Sequence, residues 1–554
     1  MQRMMNLLSR IIFPVFIFLL VSFPVCGKTG LVFVEPFPGP EITVPTSLKE
    51  VRAINVRGGK ALYFKIVDLN KTPELQNIAR SLESSRAVQK SLELLEQARK
   101  LGPAPCQEWL TCETSLPVWV KSSGGKGAGI CVPIPVRIQD GNEGWDAAAV
   151  LMVEPLDFPG KSGGGVSPLT GGIPMENPDG VGKCLEGTRF SGVNELAAAG
   201  ILVPMVCHEI FHMIQAELYR ERYLLLDILS QMPGIPHDSP VETDPQIAFK
   251  EGFAEFGELW LAGLYPSEFN YSSSNAGIRP QMVELGRQLQ KHRIALSERN
   301  RYIFQSNGQI KDGKLKQGNT DLSTEGVISS LLYTLSGHSG LEDPLTPIFR
   351  AMSHTAPASF FEFVSTLITE NKDQSETIRR ILLEYTCYTI QSREALAYYE
   401  KYYLTKKAFL LGQTKREGFE KARLAWEDWK EAQRQRIASG TPLCIAVPHP
   451  LMVTTRQGYS LDLNDEMEDR LTWHLEAFFP PSSSKDAPRL AQLYSRRILE
   501  KRKELGAFES VDQLVGILPQ ELLGKFKAGF RRFLQLAEKR LDSEVTRRRT
   551  LNGF

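Results

Sequence analysis

The stretch VCHEIFHMIQ, residues 206–215, restricts the fold more than any other part of the chain. Around it Val203, Val206, Ile210, Phe211, Ile214 and Leu218 recur at helical spacing, which predicts a buried helix with Pro204 tolerated in its first turn. His208, Glu209 and His212 interrupt that apolar pattern. Residues four apart on an α-helix differ by about 40° around its axis, so the two imidazoles leave one face and can share a metal, with Glu209 beside them. A buried helix cannot hold two imidazoles and a carboxylate without giving them partners. With only 8 histidines in 554 residues, a chance His-Glu-x-x-His has odds of roughly one in a hundred.

A catalytic zinc of this kind takes a third protein ligand and keeps one position open for water. The segment FKEGFAEFGELW, 249–260, supplies the candidate, because Glu251 opens a second helical stretch whose Phe253, Phe256, Leu259 and Trp260 form an apolar stripe able to pack on the first helix. Glu255 and Glu258, one and two turns on, are placed to accept the outward N–H of a liganding histidine.

HEIFH followed by EGFAEF resembles the gluzincin metallopeptidases, over about residues 195–265 with weaker helical likeness to about 390. The resemblance implies His208, His212 and Glu251 as zinc ligands and Glu209 as general base, with Zn2+ as cofactor and a peptide or protein as substrate. The spacing departs from the family, since 38 residues separate His212 from Glu251. LSQMPGIPHDSPVETDP, 229–245, is expected to absorb the excess as a surface loop. Tyr333 and His338 follow in chain order as candidates for stabilising an oxyanion, although Tyr333 also reads as a core aromatic at helical spacing.

The chain is too long for one ordinary domain. Its net charge of +1 gives no overall attraction to nucleic acid or membrane. Arg3 and Arg10 bracket a polar opening, and the apolar run IIFPVFIFLLVSFPV that follows reads as an export signal over 1–27, too short for a comfortable membrane span. The mature protein is therefore expected in the periplasm or outside the cell, with an N-terminal anchor as the alternative. Eight cysteines allow a few staples: Cys106 with Cys112 and Cys131 with Cys184 are candidate pairs, whereas Cys207 reads as a small core residue.

From 28 to 157, short β-type runs alternate with Gly- and Pro-rich breaks around one charged helical stretch at 72–101, an α+β region. A glycine-rich connector without phosphate-loop spacing opens the mainly helical region, 158–395, that carries the motif. Residues 396–455 read as a charged, solvated helical linker despite Trp426 and Trp429.

Within the last block, 456–545, the segment 491–526 has the pattern helix, Gly-x-Phe-x-Ser turn, short helix, Gly-Ile turn, helix. It resembles the helix-hairpin-helix domain of ComEA-type DNA-uptake proteins, with SLDLNDEMEDRL similar to that domain's opening segment. Where that family lines its hairpin with glycine, this chain has Gly516-Ile517-Leu518-Pro519, and Pro519 has no N–H for a phosphate. Residues 485–554 carry 16 Lys and Arg against 9 Asp and Glu, which permits salt-sensitive attraction to DNA but reads more simply as a solvated face.

The expected fold is thus α+β: a β-rich N-terminal segment, a mainly helical zincin-like region and a small all-α C-terminal domain. The expected function is an exported zinc-dependent peptidase that hydrolyses peptide bonds with a metal-activated water. The rival is a non-catalytic binding protein whose degenerate peptidase fold and C-terminal module present surfaces to DNA or a protein.

Overall fold

The computed structural model describes residues 30–36, 62–102, strand segments between 116 and 153, 191–219, 239, 243, 245–269, 302–304, 310–316, 318–337, 345–391, 393–439, 452–454, 460–464, 471, 472, 475, 476 and 486–531. The export segment, Cys106, Cys112, Cys184 and His338 lie outside these residues, as does the side chain of Cys131.

The protein is mixed α+β. Its largest sheet comprises β1 (Leu31–Pro36), β2 (Leu62–Ile66), β3 (Leu116–Val120), β4 (Gly129–Val132), β5 (Val136–Asp140), β6 (Glu143–Ala147) and β7 (Val150–Val153). Their order is β4-β7-β3-β1-β2-β5-β6. β3 runs parallel to both β1 and β7, while β4 closes one edge antiparallel to β7. Two helices, α1 (Pro73–Glu83) and α2 (Arg86–Leu101), lie between β2 and β3 in the chain.

After α3 (Ser191–Ala198), Gly200 adopts a left-handed φ of 73°, and the Ile201 N–H reaches back to the Leu196 carbonyl. This closes one helix and launches the next, α4 (Leu202–Tyr219), which carries HEIFH with Pro204 in its first turn. α4 packs along α2 and touches β4 and β7 at the sheet edge. α5 (Pro245–Leu264) carries Glu251 and lies between α4 and α6 (Glu325–Ser336). Both crossings depend on glycine. A methyl on Gly257 would overlap the Phe211 ring, and one on Gly252 would sit 2.8 Å from the Glu325 carbonyl and the Ile328 Cβ. Helices α7 (Leu345–Thr355), α8 (Phe360–Glu370) and α9 (Ser375–Tyr385) complete the surround.

A single buried apolar cluster runs from Phe33 to Trp429. The segment expected as a solvated linker is a helical hairpin, α10 (Arg393–Leu410) and α11 (Arg416–Ala438), with its aromatic side chains turned inward. Trp426 and Trp429 stack with ring centroids 5.6 Å apart, and Trp429 meets Tyr388 edge-on at 5.3 Å. Charge density concealed this, because the two indoles share one face of an otherwise polar helix.

A second cluster lies wholly within 453–526. Its long helix, α12 (Ala487–Leu505), ends at Gly506, whose φ is 88°. The Asn464 side chain then clasps the Phe508 backbone, donating to its carbonyl at 2.9 Å and accepting from its N–H at 2.6 Å. Ser510 and Gln513 form a capping box on the turn Val511–Leu514.

Candidate metal centre

The side chains of His208 and His212 leave α4 on one face, toward Glu251 on α5. The two Nε2 atoms are 3.1 Å apart, and Glu251 Oε2 lies 3.1 Å from His212 Nε2 and 3.4 Å from His208 Nε2. Ligand atoms held at roughly 2.0–2.1 Å by a tetrahedral ion are themselves roughly 3.3–3.4 Å apart, so this triangle has the size of one face of a zinc coordination shell. Among the described residues these three form the one group of histidine, cysteine or acidic side chains with metal-holding geometry. Two imidazole nitrogens and a carboxylate oxygen suit zinc, and an open fourth position is what its catalytic sites require.

The sequence expectation therefore picked the three residues that the fold brings together. His212 is buried, while His208 and Glu251 keep 20% and 15% of their side-chain surface, enough for access from one side. Glu209 is buried beside them. Burial alone would depress the His208 pKa, but its hydrogen bond to Glu251 and the charges of Glu209, Glu258 and Glu251 outweigh that and push it up to about 9. The negative field that holds a proton on His208 would equally hold a divalent cation.

Glu255, one turn beyond Glu251, behaves differently. Its carboxyl is pushed up to about 8 by burial and by the neighbouring Glu325 and Glu258 carboxylates, against the lowering influence of His208 and of a 3.0 Å hydrogen bond from Ser239 Oγ. The expectation that Glu255 or Glu258 receives the outward N–H of a histidine ligand fails for His212, whose Nδ1 is buried and unpartnered. One turn on, Gln215 is fully buried with neither end of its amide hydrogen-bonded. The inner side of His212 is therefore a polar spot inside an apolar helix.

Two further expectations need correction. Tyr333 is 44% exposed, and its hydroxyl lies over Gly263, twelve residues past Glu251 and about 18 Å along α5. It is neither a core aromatic nor near His208, His212 and Glu251. The connection between the two site helices is also not wholly a surface loop: Ser239 and Thr243 are buried. The Ser239 carbonyl accepts from Gly326 N–H, and Thr243 N–H donates to the Ser323 carbonyl. Sequence reading overlooked Ser239 and Glu325 because neither belongs to the motif. Both meet Glu255 through tertiary packing, and the only local signal was a glutamate in the first turn of α6.

No protein-family model, curated protein or solved structure matches the chain. The site consequently stands on its own residues.

Proposed function

We propose that the chain is a zinc-dependent peptidase of gluzincin type, exported to the periplasm or the cell exterior. The observation that carries this reading is the triangle of His208, His212 and Glu251 with Glu209 buried against it. Zinc bound there would supply Lewis-acid polarisation of a carbonyl and would acidify a water. Glu209, adjacent to His208 and not in the ligand triangle, takes the proton from the attacking water and returns it to the leaving amine. The edge strand β4 supports a peptide substrate: it contacts α4 and, among the described residues, pairs only with β7, an arrangement to which an extended chain is added as a further strand.

The C-terminal unit is in this reading a helix-hairpin-helix-like module that does not grip duplex DNA. The N–H groups of Val515, Ile517 and Leu518 donate to the carbonyls of Asp512, Leu514 and Leu514, so they are unavailable to phosphate, and Pro519 has none.

Metal analysis and one substitution test the proposal. The purified protein is expected to hold about one zinc per chain, and the His208→Ala/His212→Ala variant to hold none. Glu209→Gln should keep the metal and lose hydrolysis of a general peptide library by about 10²–10⁴-fold. Zinc retained by the double variant would place the metal elsewhere, and full activity in Glu209→Gln would exclude the mechanism.

A further inference from the structure

The helical hairpin α10–α11 has a tip that the peptidase reading does not use. Leu410 is 72% exposed and Leu411 60%, the first and third most exposed of the large apolar side chains among the described residues. Leu404, seven residues before Leu411 and so about 20° from it around the helix, is 47% exposed. A solitary exposed leucine means little, but three gathered at one end of a hairpin form a patch.

The tip is also strongly basic. From Lys401 to Arg416 there is no acidic residue, while Lys401, Lys406, Lys407, Lys415 and Arg416 are cationic. All except Lys406 are exposed, and none of Lys401, Lys407, Lys415 and Arg416 forms an ion pair among the described residues. Lower on the hairpin the pattern reverses. Arg423 pairs with Glu420, Lys430 with Glu427, and Arg434 approaches Glu384 and Glu431. Three of the stem's cations are thus paired with acids, whereas four at the end are not.

The backbone holds this arrangement rigidly. Gly412 takes a left-handed φ of 69°, its N–H donates to the Phe409 carbonyl, and Gln413 N–H reaches back to the Ala408 carbonyl, closing α10 tightly. Beneath the turn, Phe409 and Phe419 lie face to face at 5.1 Å and 8°. Leu410 and Leu411 are therefore presented by a fixed scaffold.

We propose that this tip docks on an anionic lipid surface, with Leu410 and Leu411 entering the interfacial layer and Lys407, Lys415 and Arg416 meeting the headgroups. Charge complementarity decides the occupant. Lys401, Lys407, Lys415 and Arg416, exposed and without ion pairs among the described residues, outnumber the flanking Glu417 and stand close in the chain to the exposed leucines, which matches a negatively charged bilayer face. A neutral apolar protein groove would match the leucines and leave the four exposed cations without purpose.

The test is flotation of the chain beginning at Lys28, which excludes the apolar N-terminal run, with vesicles of two compositions. Vesicles containing about one-third phosphatidylglycerol should bind the protein at least tenfold better than pure phosphatidylcholine, and binding should fall as salt rises. The Leu410→Asp/Leu411→Asp variant should lose at least tenfold. Lys407→Gln/Lys415→Gln/Arg416→Gln should lose on the order of a hundredfold, since each cation contributes about fivefold. Leu410→Phe should keep binding, which separates interfacial entry from any effect on folding. Failure of the wild type to float with anionic vesicles overturns the proposal, as does unaltered binding by either multiple variant, because the attraction would then reside elsewhere. A tip that instead served an acidic protein would give the first of these results.

Discussion

The helix pair that carries His208 and Glu251 and the hairpin of α10 and α11 break opposite rules. α4 is buried over most of its length and α5 over half of it, and their exceptions are charged or polar groups placed inside. In the hairpin most positions are polar, and its exceptions are leucines placed outside. Each exception costs stability, by desolvation in the first case and by hydrating apolar surface in the second. The comparison teaches that a helix should be read against its own majority: buried imidazoles matter in α4 because most of its buried residues are apolar, and exposed leucines matter at the tip because the charged residues of that stretch are all cationic.

The sharpest way to break the comparison is to disturb the crossing that holds the buried site. Gly257→Val should destabilise the protein by about 3 kcal/mol or more, because the side chain must displace the Phe211 ring between α4 and α5. Phe211→Leu in the same chain should return part of that loss, which a thermal-melt cycle of the two variants would measure. If the two losses simply add, the crossing is not as tight as described.

A somewhat smaller effect is expected in the second core. Asn464→Ala removes both hydrogen bonds to the Phe508 backbone and should cost about 2 kcal/mol in the unfolding of the C-terminal module, while zinc content stays unchanged. Loss of metal in that variant would show that the two cores are energetically coupled.

The pH response sharpens the contrast without any substitution. In the metal-free protein the folded pKa of His208 is about 9, above its ordinary 6.5. Its ion pair with Glu251 therefore stabilises fully below pH 6.5 and is lost as pH rises through about 9. Metal uptake carries the opposite sign, since the ion must displace the proton: affinity should climb with pH up to about 9, with release of about one proton near neutrality. Calorimetry in buffers of different ionisation enthalpy would count that proton. A pH-independent uptake would mean that His208 is not a ligand.

The smallest effect expected is on nucleic acid. At physiological salt the full chain should bind duplex DNA no better than a generic basic surface does, at a Kd of roughly 10⁻⁴–10⁻⁶ M. Submicromolar binding that disappears on altering Gly516 would give the C-terminal hairpin a role that its internally used N–H groups argue against.

Much of the geometry of the candidate site was legible in the sequence because it depends on one helical period and one adjacent helix. His208 and His212 share a face by spacing alone, and Glu251 was flagged by the apolar stripe around it. What surrounds them was not legible. Ser239 and Glu325 reach Glu255 only through the packing of α5 on α6, and Tyr333 was displaced to the far end of α5 by the same packing. The α+β character followed from alternation of short β-type runs with a helical stretch. The mixed order of the sheet did not, because β3 joins β1 and not its chain neighbour β2. The inward packing of the hairpin was not legible, since two tryptophans on one face weigh little against a run of Lys, Arg and Glu.

The unbroken core from Phe33 to Trp429 also bears on time. Glu268, in the short turn after α5, accepts hydrogen bonds from Ser85 Oγ and from the N–H groups of Arg86 and Ala87, at the start of α2 some 180 residues earlier. Trp429 closes the same cluster that Phe33 opens. Contacts so distant in sequence exact a loop-closure entropy before any burial rewards them, and chains dominated by them fold slowly. During synthesis β1 and β2 wait for β3 and β5 of the second hundred residues, and α2 waits for α4 of the third, before they meet these partners. The protein is thus late to commit to its native state, and its early segments spend the interval as exposed apolar surface that must be kept from pairing elsewhere.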